Sequence, residues 1–141
     1  MIKALLTAAV LATVLVVLPG CATTSASSTA SKVVFQVSDN DAQKWNLALN
    51  NAKNVQTALG QSAAVEIVVY GPGIGMLTAD SSVSNRVAAA VKSGVNVVAC
   101  ENTMQAKKLT TADMNPAIGY VPAGVVEIMA KQQQGWSYVR P

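Results

Sequence analysis

The sequence predicts an α/β layered domain: a mainly parallel sheet of about five strands with helices on both faces. Three observations carry this expectation. Short β-branched runs alternate with segments of helical period along the chain. The runs are continuously apolar rather than alternating, as in strands covered on both faces. Glycines stand where the helical patterns stop, at Gly60, Gly94 and Gly135.

KVVFQV, residues 32–37, reads as the first strand. SDND follows, and Ser38 or Asn40 is the expected N-cap of a helix reaching about Leu59. Trp45, Ala48, Ala52, Val55 and Leu59 recur there at spacings of three and four, forming one apolar stripe. VEIVVY, residues 65–70, is the second strand and runs into GPGIG, a turn that a helix cannot enter directly. Residues 81–94, SSVSNRVAAAVKSG, read as a helix capped by Ser81 or Ser82. VNVVAC, residues 95–100, is the third strand, and ENTMQAKKL opens a short helix behind it. After the TTADMNP loop come IGYVPA as a fourth strand, AGVVEIMAKQQQ as a helix and WSYVRP as the last strand. Parallel strands joined this way bring their C-termini to one edge of the sheet, where such folds bind ligands. Asn40, the GPGIG turn and Cys100 all lie just beyond strand ends.

The chain has 141 residues, enough for one domain. It is 51% hydrophobic and 12% charged, with mean hydropathy +0.36, and the N-terminus inflates these values. Met1, Ile2 and Lys3 precede the apolar run 4–18, which is shorter than the ~20 residues of a spanning helix. That architecture is expected of a signal peptide. LPGC, residues 18–21, is like a bacterial lipobox, making Cys21 the expected lipidated N-terminus and membrane anchor. Ordinary cleavage near Ala26 is the alternative. The Ala/Ser/Thr stretch 22–31 reads as a flexible tether, which leaves 32–141 as the folded domain. Ala22 is not aspartate, so in a Gram-negative cell the expected location is the outer membrane, facing the periplasm.

The charge balance is ten Lys and Arg against seven Asp and Glu, with Lys107 and Lys108 the only adjacent basic pair. Charges so few and so dispersed speak against nucleic-acid binding. There is no histidine, which removes the usual general base, Cys-His pairs and most zinc sites, and no cofactor or metal is expected. With Cys21 acylated or removed, Cys100 is the only thiol left, and no internal disulfide can form.

Two motifs are candidates for chemistry. GPGIG, which contains Gly71 and Gly73, lacks the third glycine of a dinucleotide loop, since Met76 stands there. It also lacks the Gly-Lys-Ser or Gly-Lys-Thr of a P-loop. A turn using positive φ is the plain reading, and a close backbone approach to a ligand or thiol is the other. Cys100 ends a strand where a helix begins, so unpaired amides and the helix dipole favour its thiolate. Asn102 and Thr103 add hydrogen-bonding groups, whereas Glu101 opposes a negative sulfur. A thiol pKa within about a unit of the reference 8.5 is expected from this balance. An inert core sulfur remains the alternative, because free cysteine is among the most buried residue types.

Taken together, KVVFQVSDND, LALNNAKNVQTALG, VEIVVYGPGIGML, GVNVVACENTM and VPAGVVEIMAKQQQGWSYVRP, in this order, resemble the DsrE-like family. The likeness is to the small single-domain relatives of the DsrE and DsrF sulfur-relay proteins, over about residues 32–141. Cys100, Asn102 and Thr103, in ACxNT after the third strand, are its most specific piece. The resemblance implies the parallel sheet already read from the pattern, assembled into trimers or hexamers. In the relay proteins a cysteine carries sulfur as a persulfide, and the resemblance implies that Cys100 matches the corresponding strand-end cysteine of the small members, for which it supplies no biochemical activity. The sequence departs from the pattern at Tyr70, where many relatives have histidine, and at Glu101, where glycine or a basic residue is common.

Two functions follow as expectations. In the first, an envelope-tethered protein handles sulfur or thiol redox through Cys100, with Asn40, Gly71, Gly73, Asn102 and Thr103 shaping the pocket and a thiol or sulfur donor as partner. In the second, an oligomeric binding module keeps the fold and Cys100 only fills space. A homo-oligomer is expected in both, because Trp136, Tyr138 and Arg140 share one face of the last strand.

Overall fold

The computed structural model describes residues 31–60 and 62–141. The expected signal peptide, Cys21 and all but the last residue of the tether lie outside these residues. The continuous apolar runs form β1 (Lys32–Val37), β2 (Ala64–Val69) and β3 (Asn96–Cys100), and two short strands follow, β4 (Gly119–Val121) and β5 (Ser137–Val139). All four strand pairings are parallel, and the order across the sheet is β4-β3-β2-β1-β5.

Because side chains alternate along a strand, each run feeds two cores. On one face Phe35, Ile67, Val97 and Ala99 pack with Trp45, Leu49 and Ala52 of α1 (Ala42–Leu59), Val87 of α2 (Ser84–Lys92) and Met104 of α3 (Glu101–Ala106). On the other, Val34, Val68 and Val98 are covered by Ile128 of α4 (Gly124–Gln133), with Tyr70, Val121 and Trp136 beside it. Helices thus cover both faces, but three lie on one and a single helix on the other.

Several boundaries differ from the sequence expectation. The α1 N-cap is Asp41, not Ser38 or Asn40: its carboxylate accepts from the Gln43 and Lys44 amides at 2.8 and 3.4 Å. Asp39, two residues before it, holds the entry differently, for its carbonyl accepts from the Trp45 indole at 2.7 Å. Helix α2 begins at Ser84 rather than Ser81, and neither Ser81 nor Ser82 caps it, since its N-cap is Val83. The GPGIG segment is no open turn but the start of a 3-10 helix, Gly71–Leu77. Pro72 fits its first turn, where a missing N–H costs nothing.

Helix α4 is pinned by a polar network laid across the second face. Glu66 on β2 is 1% exposed and pairs with Lys131 at 2.7 Å, and it accepts from the Asn96 amide at 2.7 Å. The Lys131 ammonium also meets Glu127 at 3.3 Å and lies 4.5 Å from the centre of the Trp136 ring. Burial works against this ammonium, but Glu66 and Glu127 outweigh it and hold its pKa above the ordinary 10.5.

Candidate functional site

Strand order decides where a site can form. Strands β3 and β4 are neighbours, with Cys100 in register with Val121. After β3 the chain turns to α3 on the first face, whereas after β4 it turns to α4 on the second. Neighbouring parallel strands whose loops leave in opposite directions open a crevice at their C-terminal ends, the usual ligand position in such sheets. Cys100 is the last residue of β3 and stands at that point.

Alternation from Val97 and Ala99 turns Cys100 away from the first core and toward the α4 side. Its thiol donates to the Pro122 carbonyl at 3.9 Å, and the same carbonyl accepts from the Asn102 amide at 3.1 Å. The β4 exit is thereby stitched to the start of α3. The side chain is buried, with only 5% exposed in the single chain. What encloses it comes from the next strand and the helix after it, which lie more than twenty residues along the chain (Pro122 is at a separation of 22).

The sulfur's surroundings favour a negative charge. Burial pushes the Cys100 thiol up, but the Thr103 hydroxyl and the amides of Gly124, Thr103 and Asn102 more than offset it, leaving the thiol below its ordinary value. As a thiol Cys100 makes no N-cap bond to α3, so these donors are poised for the deprotonated form. Glu101, expected to oppose a thiolate, is exposed. Thr103 is itself held in place, because its hydroxyl accepts from the Gly71 amide at 3.0 Å. Gly71 sits at φ +56, a left-handed conformation that glycine adopts without strain.

The remaining expected residues divide. Asn102 contributes its amide while its side chain is exposed. Gly73 is glycine for a packing reason: a Cβ there would meet the Val37 carbonyl oxygen at 2.8 Å. The close approach is thus to the end of β1, not to the sulfur. Asn40 is exposed and its side chain lies near Gly75 and Trp45, on a different loop from the crevice.

Sequence reasoning missed Pro122 and Gly124. It noted Tyr70 only as a departure. Gly124 matters because a Cβ there would stand 3.0 Å from the Tyr70 ring and Cβ, so its absence lets Tyr70 pack on the N-terminus of α4. Burial raises the Tyr70 phenol, as do Tyr138 and Cys100, while Arg140 works against them, and the phenol stays protonated at neutral pH. The glycine that opens α4 was the only local signal. Two surface grooves lie elsewhere, one between α1 and α2 at Leu49, Gln56 and Arg86, another at Lys32, Leu59 and Ser137. Among the described residues no cluster of three or more His, Cys, Asp or Glu side chains is placed to hold a metal.

The profile of the DsrE/DsrF-like family matches residues 31–141. A solved structure of a protein of unknown function from Methanobacterium thermoautotrophicum is 32% identical, with a TM-score of 0.75, covering 79% of this chain and 99% of that one. A conserved protein of unknown function from Bacteroides thetaiotaomicron shares the fold at 13% identity and a TM-score of 0.66, covering 79% of this chain and 95% of its own. No curated protein sequence matches.

Proposed function

The chain belongs to the DsrE/DsrF-like family, and from that premise we propose that it handles sulfur in the cell envelope, with Cys100 as a persulfide carrier. Membership supplies a fold of the sulfur-relay type and a family that is generally oligomeric. The observation that carries the reading is the position of Cys100: it ends β3 at the sheet edge beside β4, with its thiol on the Pro122 carbonyl and surroundings that lower its pKa. The step needs a small persulfide, R–S–SH, as donor. The Cys100 thiolate attacks the outer sulfur, a Cys100 S–S bond forms, the donor S–S bond breaks, and R–S⁻ leaves with the electron pair. The product, Cys100–S–SH, is a persulfide awaiting an acceptor thiol. With only 5% of the residue exposed, a small donor suits the site better than a protein persulfide.

Tethering through a lipidated Cys21, in the outer membrane facing the periplasm, belongs to the same proposal and is motivated by the LPGC segment. Assembly into a trimer or hexamer is supported by Val125, Val126 and Met129, which leave α4 with an outer apolar face 54–58% exposed. The low exposure of Cys100 favours the second reading, a binding module with a packing cysteine, and one experiment separates them. Incubated with glutathione persulfide and freed of excess reagent, the protein gains the mass of one sulfur, and reductant removes it. Cys100→Ser gains none. A wild-type protein that takes up no sulfur leaves the binding module.

A further inference from the structure

We propose that the groove between α1 and α2 binds a small organic anion, a carboxylate with an apolar tail. The groove has a volume of about 480 Å³, within the range of small-molecule sites. It stands apart from Cys100, for no residue of that site lines it. Charge singles it out. Helix α1 carries Lys44 and Lys53, α2 carries Arg86 and Lys92, and neither helix contains an Asp or Glu. Lys53 and Arg86 both line the groove, and no carboxylate joins them there. Among the described residues neither of these two enters an ion pair, whereas Lys44 is paired with Asp39. Two cations on one concave surface without a counter-charge raise the local potential and favour an anion between them.

The guanidinium is held in advance. Arg86 donates from Nη1 to the Asn46 side-chain oxygen and from Nη2 to that of Asn50 at 2.7 Å, both on α1. These acceptors are neutral, so they orient the planar fork without cancelling its charge, and they use two of its five N–H donors. A second clasp joins the same helices. Gln56, only 9% exposed, donates to the Ser93 carbonyl at 2.8 Å and accepts from the Ser93 hydroxyl at 3.1 Å. The two clasps fix the separation of α1 and α2, so little ordering is needed on binding. The remaining lining suits a tail. Leu49 and Val95 are buried and apolar, and Ala89 and Ala90 on α2 leave a width that larger side chains would fill. A bare inorganic anion would use the cations alone, whereas a carboxylate with a hydrocarbon tail uses both parts of the surface.

Hexanoate titrated into the nitrogen-15-labelled full-length protein is expected to shift the amide resonances of Lys53, Ala89 and Ala90 saturably. Affinity rises about threefold per CH₂ from butanoate to hexanoate. Hexanamide, with the same tail and no charge, binds about tenfold more weakly, the worth of one hydrogen bond to a charged group. Arg86→Gln weakens hexanoate by a similar factor. So does Lys53→Gln, which removes no side-chain bond of the fold and keeps the test decisive should Arg86→Gln loosen α2. Ala89→Leu fills the groove and abolishes binding with both charges in place. Hexanamide binding as tightly as hexanoate overturns the proposal, as does full affinity in Lys53→Gln or in a folded Ala89→Leu. The absence of any saturable shift with these acids overturns it too, and inorganic phosphate binding as tightly as hexanoate overturns the tail.

Discussion

Cys100 combines two properties that seldom coincide in an inert thiol: near-complete burial and an environment built for its anion. An inert core cysteine lies in apolar surroundings, which raise its pKa. Here donors from Thr103, Gly124 and Asn102 lower it. The strand end and the following helix were legible in VNVVACENTM because both are local patterns. The covering groups were not, since Pro122 and Gly124 reach the sulfur through the register of β4 on β3, which no local pattern encodes. Gly73 was legible as a glycine with a purpose but assigned the wrong one. Its role gives a first prediction. Gly73→Ala forces a Cβ against the Val37 carbonyl oxygen, at 2.8 Å, and is expected to cost about 1–3 kcal/mol as overpacking does. Urea unfolding measures it. A variant as stable as the wild type would mean that the loop after β1 yields.

At the scale of elements, α4 is the piece whose placement matters most, because its first residue supplies an amide to the sulfur. Its apolar hold on the sheet is slight, with Ile128 the one large buried side chain, so the Glu66–Lys131 pair carries much of its position. Lys131→Met leaves a carboxylate that is 1% exposed without its counter-charge, and a loss of about 3 kcal/mol is expected. The pair also sets a pH dependence. A lysine whose folded pKa is raised contributes stability fully below the unfolded value and loses it as pH climbs through the folded one. Wild-type stability should therefore fall as pH rises beyond 10.5, and Lys131→Met should lack that component in urea unfolding across a pH series. An unchanged alkaline profile would remove the pair from the account. The helix itself was legible from AGVVEIMAKQQQ, but its partner was not, because Glu66 lies inside an apolar strand run that reads as wholly buried. The α1 N-cap failed for a simpler reason: Ser38, Asn40 and Asp41 are all good caps, and only tertiary packing selects among them.

At the scale of the molecule, alternating strands and helices made the parallel sheet readable, whereas the order β4-β3-β2-β1-β5 was not. That order puts β3 beside β4, whose following helices lie on opposite faces, and leaves Cys100 at the strand end between them. The aromatic and basic residues expected at an interface are largely used within the chain: Tyr138 donates to Gln36, Arg140 pairs with Asp39 at 3.2 Å, and Trp136 lies under Lys131. Among the described residues, Val125, Val126 and Met129 on the outer face of α4 are exposed apolar side chains. Light scattering of residues 32–141 is expected to give a trimer or hexamer, and Val126→Glu with Met129→Glu to shift it toward monomer; a wild-type monomer at micromolar concentration would contradict the assembly. Replacing Cys21 with serine should release the full chain from membranes and abolish lipid labelling, and unchanged labelling would dismiss the anchor. The central claim, that Cys100 is a working thiol and not a packing residue, is tested most directly by its alkylation rate across pH, in the native protein and in the unfolded chain. The account expects native modification well below the global unfolding transition, with a midpoint at lower pH than in the unfolded chain. Complete protection of Cys100 until the protein unfolds would contradict it.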